Sequence, residues 1–451
     1  MATLLNFLAI SAILLALGQG MVTPAYNLTG ENAGDNFGWS LSTDAGTLAI
    51  GAPFSNGTGK VYIYDVDNGT LFYELNGSVN GGQYGYQVGY DGDFLVVTAP
   101  FESTTGGAIY FYQLSTGIPI TNVICGTPGC NFGSKILTHA GSQLIVASGS
   151  FTGNEGVLAV FNITTGTFSV VLFGASAGDM LGYDFDFSGS YLVVGIPGFS
   201  SSTGMVTVYN LITGAPLYNL TGETVGDNFG KQVIIDSGIF WVGSENYFGG
   251  TGRVYAYNLT TGAPLYNLTG ENTNDYFGSV INTAGGYLLL SATGYTNGSN
   301  KGKAYVYIQD DGIPVTNLTG NADGNFFGGA LDLVNDFLVA CAPGVGVQGY
   351  LDTLEVTSGV TGGSVNAEAA GYNYGTILEI NANSGIKFVV GAFNYDNGPI
   401  NGIGRVYVYD FDSTVVTTTG TTVTTGSTTD ASTTDSSGNG ISAAAELGWL
   451  L

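Results

Sequence analysis

The feature that most constrains this chain is a repeat. An aromatic residue or leucine followed by glycine recurs at Phe37-Gly38, Tyr84-Gly85, Phe132-Gly133, Leu181-Gly182, Phe229-Gly230, Phe277-Gly278, Phe327-Gly328 and Tyr374-Gly375. Successive spacings are 47, 48, 49, 48, 48, 50 and 47 residues. A register held that closely over most of a chain marks one structural unit used repeatedly, each copy burying its apolar face against its neighbours.

Each copy carries four short β signals. An outer segment such as PLYNLTG (Pro216 to Gly222, Pro264 to Gly270) leads through a Gly/Asp/Asn turn to the aromatic-Gly pair. An apolar run follows, ending near Gly51-Ala52-Pro53, Thr98-Ala99-Pro100, Gly195-Ile196-Pro197 or Cys341-Ala342-Pro343. An alternating strand closes the copy, as in Val61-Tyr62-Ile63-Tyr64 and Val406-Tyr407-Val408-Tyr409. Abundant Gly (74 residues) and aromatics (12%) suit short strands joined by tight turns. No helical period interrupts the array, so a βαβ fold is excluded. The expected fold is all-β: an eight-bladed β-propeller of four-stranded antiparallel sheets over residues 21–412. The first copy begins with its own outer segment, Pro24 to Leu28, and the last ends at Tyr409 without one. The N-terminal strand is therefore expected to complete the C-terminal sheet, removing two free edges. The seventh copy is the weakest, with Tyr350 to Val356 in place of the usual VYVY strand. A seven-bladed ring with that copy displaced is the alternative.

Phe37-Gly38 followed by Gly51-Ala52-Pro53 resembles the FG-GAP repeat, which forms the propeller of integrin α subunits and of many secreted and surface proteins. The resemblance runs from about Pro24 to Asp412. It implies the propeller fold, and extracellular adhesion or ligand binding as the leading function. Several integrin blades hold Ca²⁺ in a D-x-D-x-D-G loop. The corresponding turns here, Asp91-Gly92-Asp93, Asp236-Ser237-Gly238 and Ala284-Gly285-Gly286, are too short for six to eight oxygen ligands. Asp65-Val66-Asp67-Asn68-Gly69 reads as a plain turn. No metal or other cofactor is expected.

Acidic residues outnumber basic ones 34 to 8, a net charge of −26. Without clustered Lys and Arg, nucleic acid is excluded as a partner, and anionic membrane surfaces are disfavoured. Leu4 to Leu17, ending at Gly18-Gln19-Gly20, reads as a signal peptide over residues 1–20, although its n-region lacks Lys and Arg. The competing reading is a buried N-terminal segment. Asn-x-Ser/Thr sequons stand at Asn27, Asn56, Asn68, Asn76, Asn162, Asn219, Asn258, Asn267, Asn297 and Asn317. Such sites are glycan acceptors in a chain that enters a secretory lumen. Cys125 and Cys130, five positions apart across a Gly/Pro turn, are placed to close a small disulfide loop. Cys341 lies in an apolar run and reads as a core thiol.

Catalytic signals are weak. The one histidine, His139, has no partner at a recognisable spacing. Asp35, Asp179, Asp227 and Asp275 each precede the anchor glycine by three residues. An acid that recurs at one repeat position in four copies points to turn chemistry, since a catalytic site need occur only once. No enzymatic activity is expected. Lys60, Arg253, Lys303 and Arg405 each open the fourth β signal after a glycine. Their two readings are a basic arc for an anionic ligand and, preferred, pairing with the recurrent Asp residues. Phe54, Phe101, Phe151, Phe199, Phe248, Tyr295 and Phe393 recur just after the Gly-Ala-Pro position. They are expected on loops at one end of the ring, sealing the gaps between blades or forming a binding face.

After Asp412 the composition changes. Ser413 to Ser437 is mostly Thr and Ser, and a disordered, O-glycosylated stalk is expected over residues 413–440. Residues 441–451 are weakly apolar and too short to span a bilayer, and Ser437 to Asn439 fit a lipid-anchor site poorly. The overall expectation is a secreted or cell-surface glycoprotein that recognises an extracellular protein or glycan. The alternatives are a structural subunit that binds copies of itself in a coat, sheath or filament, and, less favoured, a polysaccharide-active enzyme.

Overall fold

Eight four-stranded antiparallel sheets follow one another in a computed structural model of the chain. The structure describes residues 24–410, apart from 45, 103–105, 127–128, 140–142, 149–150, 296–300, 322–323, 345–347, 371–372, 376–377, 382–386 and 397–401. The proposed signal peptide, stalk and C-terminal end lie outside the described residues. We number the sheets as blades 1–8 by the chain order of their inner strands. They span residues 40–76, 88–124, 135–173, 185–221, 232–269, 277–319 and 330–370, and then 378–410 together with 26–29.

Within a blade the strands lie in chain order from inner to outer. The inner pair is joined by a two-residue hairpin, as at Ser237-Gly238 between partners Asp236 and Ile239. Both turn residues have positive φ, 48° and 81°, the twist a tight hairpin needs. The second strand is apolar at nearly every position because a blade lies against each of its faces. Phe337–Ala342 is buried throughout. Outer strands alternate between exposed and half-buried residues.

The last blade draws on both ends of the described chain. Tyr26–Thr29 pairs with Arg405–Asp410 as its outer strand, Tyr26 opposite Val408 and Thr29 opposite Arg405. The seventh copy, weak in sequence, forms a sheet like the others. Its strand Gln348–Glu355 pairs on both sides, and Tyr350 stacks on the anchor Phe327.

The repeat residues are the joints between blades. The anchor aromatics Phe37, Phe229, Phe277 and Phe327 are fully or almost fully buried. Phe37, Phe229 and Phe277 each meet a third-strand tyrosine edge-on, at 5.2 Å from Tyr62, 5.3 Å from Tyr255 and 5.2 Å from Tyr305. The glycine of Gly-Ala-Pro is required by close approach. A Cβ on Gly51 would lie 2.1 Å from the carbonyl oxygen of Gly85 in the next blade, and one on Gly195 would lie 2.0 Å from that of Gly230. Isolated parallel bridges repeat the joint from blade to blade, as between Gly59 and Tyr84 and between Gly204 and Phe229. Gly404 of blade 8 makes the same bridge to Phe37, beside blade 1.

A second joint sits at the outer edge. The hydroxyls of Tyr26, Tyr73, Tyr218 and Tyr266 each donate to a carbonyl of the following blade, at Val66, Leu114, Leu259 and Gln309. Cys125 and Cys130 form a disulfide that closes a small loop in the connection from blade 2 to blade 3. Cys341 is buried as a free thiol, and burial pushes its pKa up.

Candidate functional site

The loops after the second strands and the turns before the inner strands share one end of the molecule. The recurrent aspartates organise the turns. Each accepts a hydrogen bond from the backbone N–H three residues earlier: Asn32 to Asp35 (2.9 Å), Ser176 to Asp179 (2.9 Å), Thr224 to Asp227 (2.9 Å) and Asn272 to Asp275 (2.7 Å). These are turn-closing contacts of the Asx type.

With their oxygens turned into the loops, these aspartates do not serve the basic residues, and the expected pairing is corrected. Lys60 pairs with Glu31 (3.1 Å) and Glu74 (3.0 Å), Arg253 with Glu223 (3.0 Å) and Lys303 with Glu271 (2.6 Å). Three of these acids, Glu31, Glu223 and Glu271, directly follow the glycine that ends an outer segment. Burial opposes the ionised form of Glu271, but the Lys303 and Tyr305 hydrogen bonds win and hold its carboxyl below the usual range. Arg405 lies 3.7 Å over the Tyr395 ring, and its Nε donates to Thr29 Oγ1 at 3.0 Å.

The seven recurrent aromatics occupy different surroundings. Phe54 and Phe393 pack on Trp39 with centroids 5.8 and 5.0 Å away, and Phe101 packs on Tyr86 at 5.5 Å. Trp39 in turn touches Tyr86 at 5.6 Å. These five rings bridge blades 8, 1 and 2 at the loop end and seal the gaps between them. Phe199 packs into the apolar cluster between blades 3 and 4, and Tyr295 covers Lys303 at 4.8 Å. The side chain of Phe151 lies outside the described residues.

Phe248 differs from the rest. The sealing role in blade 5 is taken by the preceding residue, Tyr247, whose ring lies 3.9 Å from the Arg253 guanidinium. Phe248 is pushed outward, 75% exposed, on a backbone with φ of 47° that bulky residues rarely adopt. Its carbonyl is held by the Thr251 hydroxyl at 3.0 Å, and the Ser244 hydroxyl ties the loop to the Asp227 carbonyl at 2.9 Å. Between the two loops lies a groove of about 340 Å³, lined by Thr224 to Asp227 and Asn246 to Gly249. Val225, 68% exposed, forms its other apolar wall. Burial raises the pKa of Asp227 against the Thr224 hydrogen bond, with the Glu223 carboxylate adding to the rise.

A different arrangement near the inner strands escaped the sequence reading. Asp184 and Asp186 of blade 4 accept the Val233 and Ile235 N–H groups of blade 5, each at 2.7 Å. Asp184 also pairs with Lys135 of blade 3. Burial is the main cause that lifts the Asp186 pKa to about 7, against its two backbone hydrogen bonds. The oxygens of this carboxylate pair are thus engaged in joining blades 3, 4 and 5.

Of the sequons, Asn27, Asn56, Asn68, Asn76, Asn219, Asn267 and Asn317 are exposed. Asn162 and Asn258 are half-buried, and their Oδ1 atoms accept turn N–H groups from Thr165 and from Thr260 and Thr261. Asn297 and the His139 side chain lie outside the described residues. Asp65 accepts the Asp67 N–H at 2.8 Å and the Asn68 side-chain amide at 3.0 Å, as a turn residue does. Among the described residues no group of three or more His, Cys, Asp or Glu is placed to hold a metal, and no helix is long and apolar enough to cross a membrane.

Residues 29–64 match the FG-GAP repeat family. That stretch covers the first copy of the repeat, from its outer segment to its third strand. No curated protein sequence matches the chain. The chain is similar in fold to BamB from Moraxella catarrhalis, whose crystal structure aligns over 86% of this chain and 99% of that one, with a TM-score of 0.57 and 12% identity. At that identity the likeness is one of fold alone.

Proposed function

We propose that this FG-GAP propeller is a secreted or cell-surface glycoprotein that recognises an extracellular glycan, without catalysis, through the loop end of blade 5. One observation carries the reading. Phe248 is held outward on strained backbone beside a groove, 75% exposed, while the described aromatics at related positions in other blades lie against neighbouring groups and are at most 38% exposed. Strain of that kind is retained where the surroundings impose it, and such sites cluster where ligands bind. The groove is small, with an aromatic and an aliphatic wall and polar groups from Thr224, Asp227 and Asn246. That size and lining suit one or two sugar rings better than a flat protein epitope. The exposed sequons, the disulfide and the apolar N-terminal run support an extracellular setting.

The test is an array of extracellular glycans probed with the intact chain and with Phe248→Ser. Binding by the wild type that the variant loses supports the reading. Binding that survives Phe248→Ser, or no binding to any arrayed glycan, overturns it.

A further inference from the structure

The eight outer strands are not equivalent, and their differences fall at one register position. The residue that faces a neighbouring blade is Tyr26, Tyr218 or Tyr266 in blades 8, 4 and 5, paired with Val408, Val208 and Ala256. The next residue is the sequon asparagine, Asn27, Asn219 or Asn267, and blade 6 has Asn317 there, after Thr316. In blade 1 this position is Glu74, followed two residues later by the sequon Asn76. Blade 7 carries Glu368 on its outer strand. The edges of blades 1, 4, 5, 6 and 8 therefore each bear an acid or a glycan acceptor, and the blade 7 outer strand has an acid in its sequence.

Blades 2 and 3, which are adjacent, break the pattern. In blade 3 Val170 takes the inward position opposite Val160, so Val171 and Phe173 stand where blade 4 has the Asn219 and Thr221 of its sequon. In blade 2 Ile124 stands where Thr221 does, and Asn122-Val123-Ile124 is not a sequon. All of these replacements are outward-facing. Ile124 is 47% exposed, Val171 45% and Phe173 57%, with Ile120 (45%) beside them, whereas Phe168 keeps one ring edge on the buried Phe161 at 5.3 Å. From Ser103 to Ser134 and from Gly156 to Gly178 the chain has no charged residue.

Edge strands are normally protected from pairing by charge, proline or cover. The blade 2 edge keeps Pro119 opposite Tyr112, as blades 4, 5 and 6 keep Pro216, Pro264 and Pro314. The blade 3 edge, Thr167–Phe173, has no proline, charge or sequon along its 7 residues. Asn162 carries the nearest sequon, on the neighbouring third strand, at the hairpin that precedes the edge.

We propose that the outer edge of blade 3, flanked by Ile120 and Ile124 of blade 2, is the contact surface for a second copy of this chain. The copies would be related by a twofold axis, with the two Thr167–Phe173 strands pairing antiparallel. Charge selects the occupant. Two chains of net charge −26 repel wherever their acids meet, and this sector of the rim is free of them. A twofold contact uses the same patch on both copies, and an uncharged, apolar edge is its own complement. A 7-residue strand is ~23 Å long, and two neighbouring blade edges offer roughly 500 Å² per copy. That is below the ~800 Å² per partner of a standard interface, so association is weak and depends on concentration. The proposal is independent of the glycan reading. A dimer would carry two loop ends and gain avidity on a multivalent ligand.

The test is sedimentation velocity of the intact chain over a concentration series. The variant Val171→Asn/Phe173→Thr rebuilds in blade 3 the Asn-Leu-Thr of blades 4, 5 and 6. The expected result is a wild-type mass rising from monomer towards dimer, with dimerisation weakened about tenfold or more in the variant. Leu217→Asp, on the blade 4 edge, should associate like the wild type. If the double variant fails to fold, Val171→Lys carries the same test. Three outcomes overturn the proposal: a wild type that stays monomeric throughout, association undiminished by the blade 3 variants, or open-ended polymers in place of a dimer.

Discussion

The tyrosine joint at the outer edge permits a controlled measurement of what holds neighbouring blades together. Gly262, in the hairpin between the third and outer strands of blade 5, has φ of 69°, and a Cβ there would meet the Tyr218 ring of blade 4 at 2.7 and 2.9 Å. Gly166, in the corresponding hairpin of blade 3, has the same φ of 69° and nothing within 4 Å. The reason lies in blade 2, where Thr121 stands in place of the tyrosine. Gly166→Ala therefore incurs only the left-handed backbone cost of about 1 kcal/mol. Gly262→Ala incurs that cost and must also displace the ring, breaking the hydrogen bond from the Tyr218 hydroxyl to the Leu259 carbonyl, worth ~1 kcal/mol, and disturbing the ring packing. The expected losses are about 1 kcal/mol for Gly166→Ala and ~2–3 kcal/mol for Gly262→Ala. Denaturant unfolding followed by tyrosine and tryptophan fluorescence measures both. In a Tyr218→Thr background, which copies blade 2, the two alanine variants should cost the same. Equal losses in the wild-type background would refute the joint as a stabilising contact.

Further outcomes follow from the charges. Asp186 has a folded pKa near 7, above the ordinary carboxylate value, so its contribution is fully present below about pH 4 and is lost as pH rises through 7. The full separation would correspond to ~4 kcal/mol, and because Asp186 is half-buried, screening leaves ~1–2 kcal/mol. Thermal unfolding measured from pH 4 to 8 should show the melting temperature falling across that window, with a smaller fall in Asp186→Asn. Lys60 is buried beside two half-exposed acids. Glu31→Gln and Glu74→Gln should each cost under ~1 kcal/mol. The double variant should cost more than their sum, because a buried ammonium then has no carboxylate partner, and a double-mutant cycle in urea reads that coupling.

The architecture was legible because it rests on recurrence. Eight copies of one turn and one glycine pair fix the strand count, and the outer segment at Pro24 without a counterpart after Tyr409 points to the pairing of Tyr26–Thr29 with Arg405–Asp410. Turn chemistry at Asp35, Asp179, Asp227 and Asp275 was legible for the same reason. What recurrence hides is which copy departs from it. Phe248 corresponds in sequence to Phe54 and Phe199, yet Tyr247 fills their position over the blade and the one-residue offset turns Phe248 outward. That Lys60, Arg253 and Lys303 pair with acids is legible in the sequence, and which acids they meet is not. The glutamate after each outer segment belongs in sequence to one blade and in space to the next. Asp184 and Asp186 look like ordinary strand acids, and only the packing of inner edges gives them the Val233 and Ile235 N–H groups. The signal in that case was the pair Asp184 and Asp186 at the start of one inner strand.

The central claim is that recognition occurs at the loop end of blade 5. Its most direct test is a calorimetric titration of the strongest glycan from the array against three intact proteins: the wild type, Phe248→Ser and Leu265→Ser. Leu265 is a comparably apolar exposed residue on the blade 5 outer strand, away from the groove. The account predicts that Phe248→Ser weakens binding by about tenfold or more, as loss of an aromatic anchor does, while Leu265→Ser stays close to the wild type. Wild-type affinity in Phe248→Ser, or an equal loss in both variants, would contradict it.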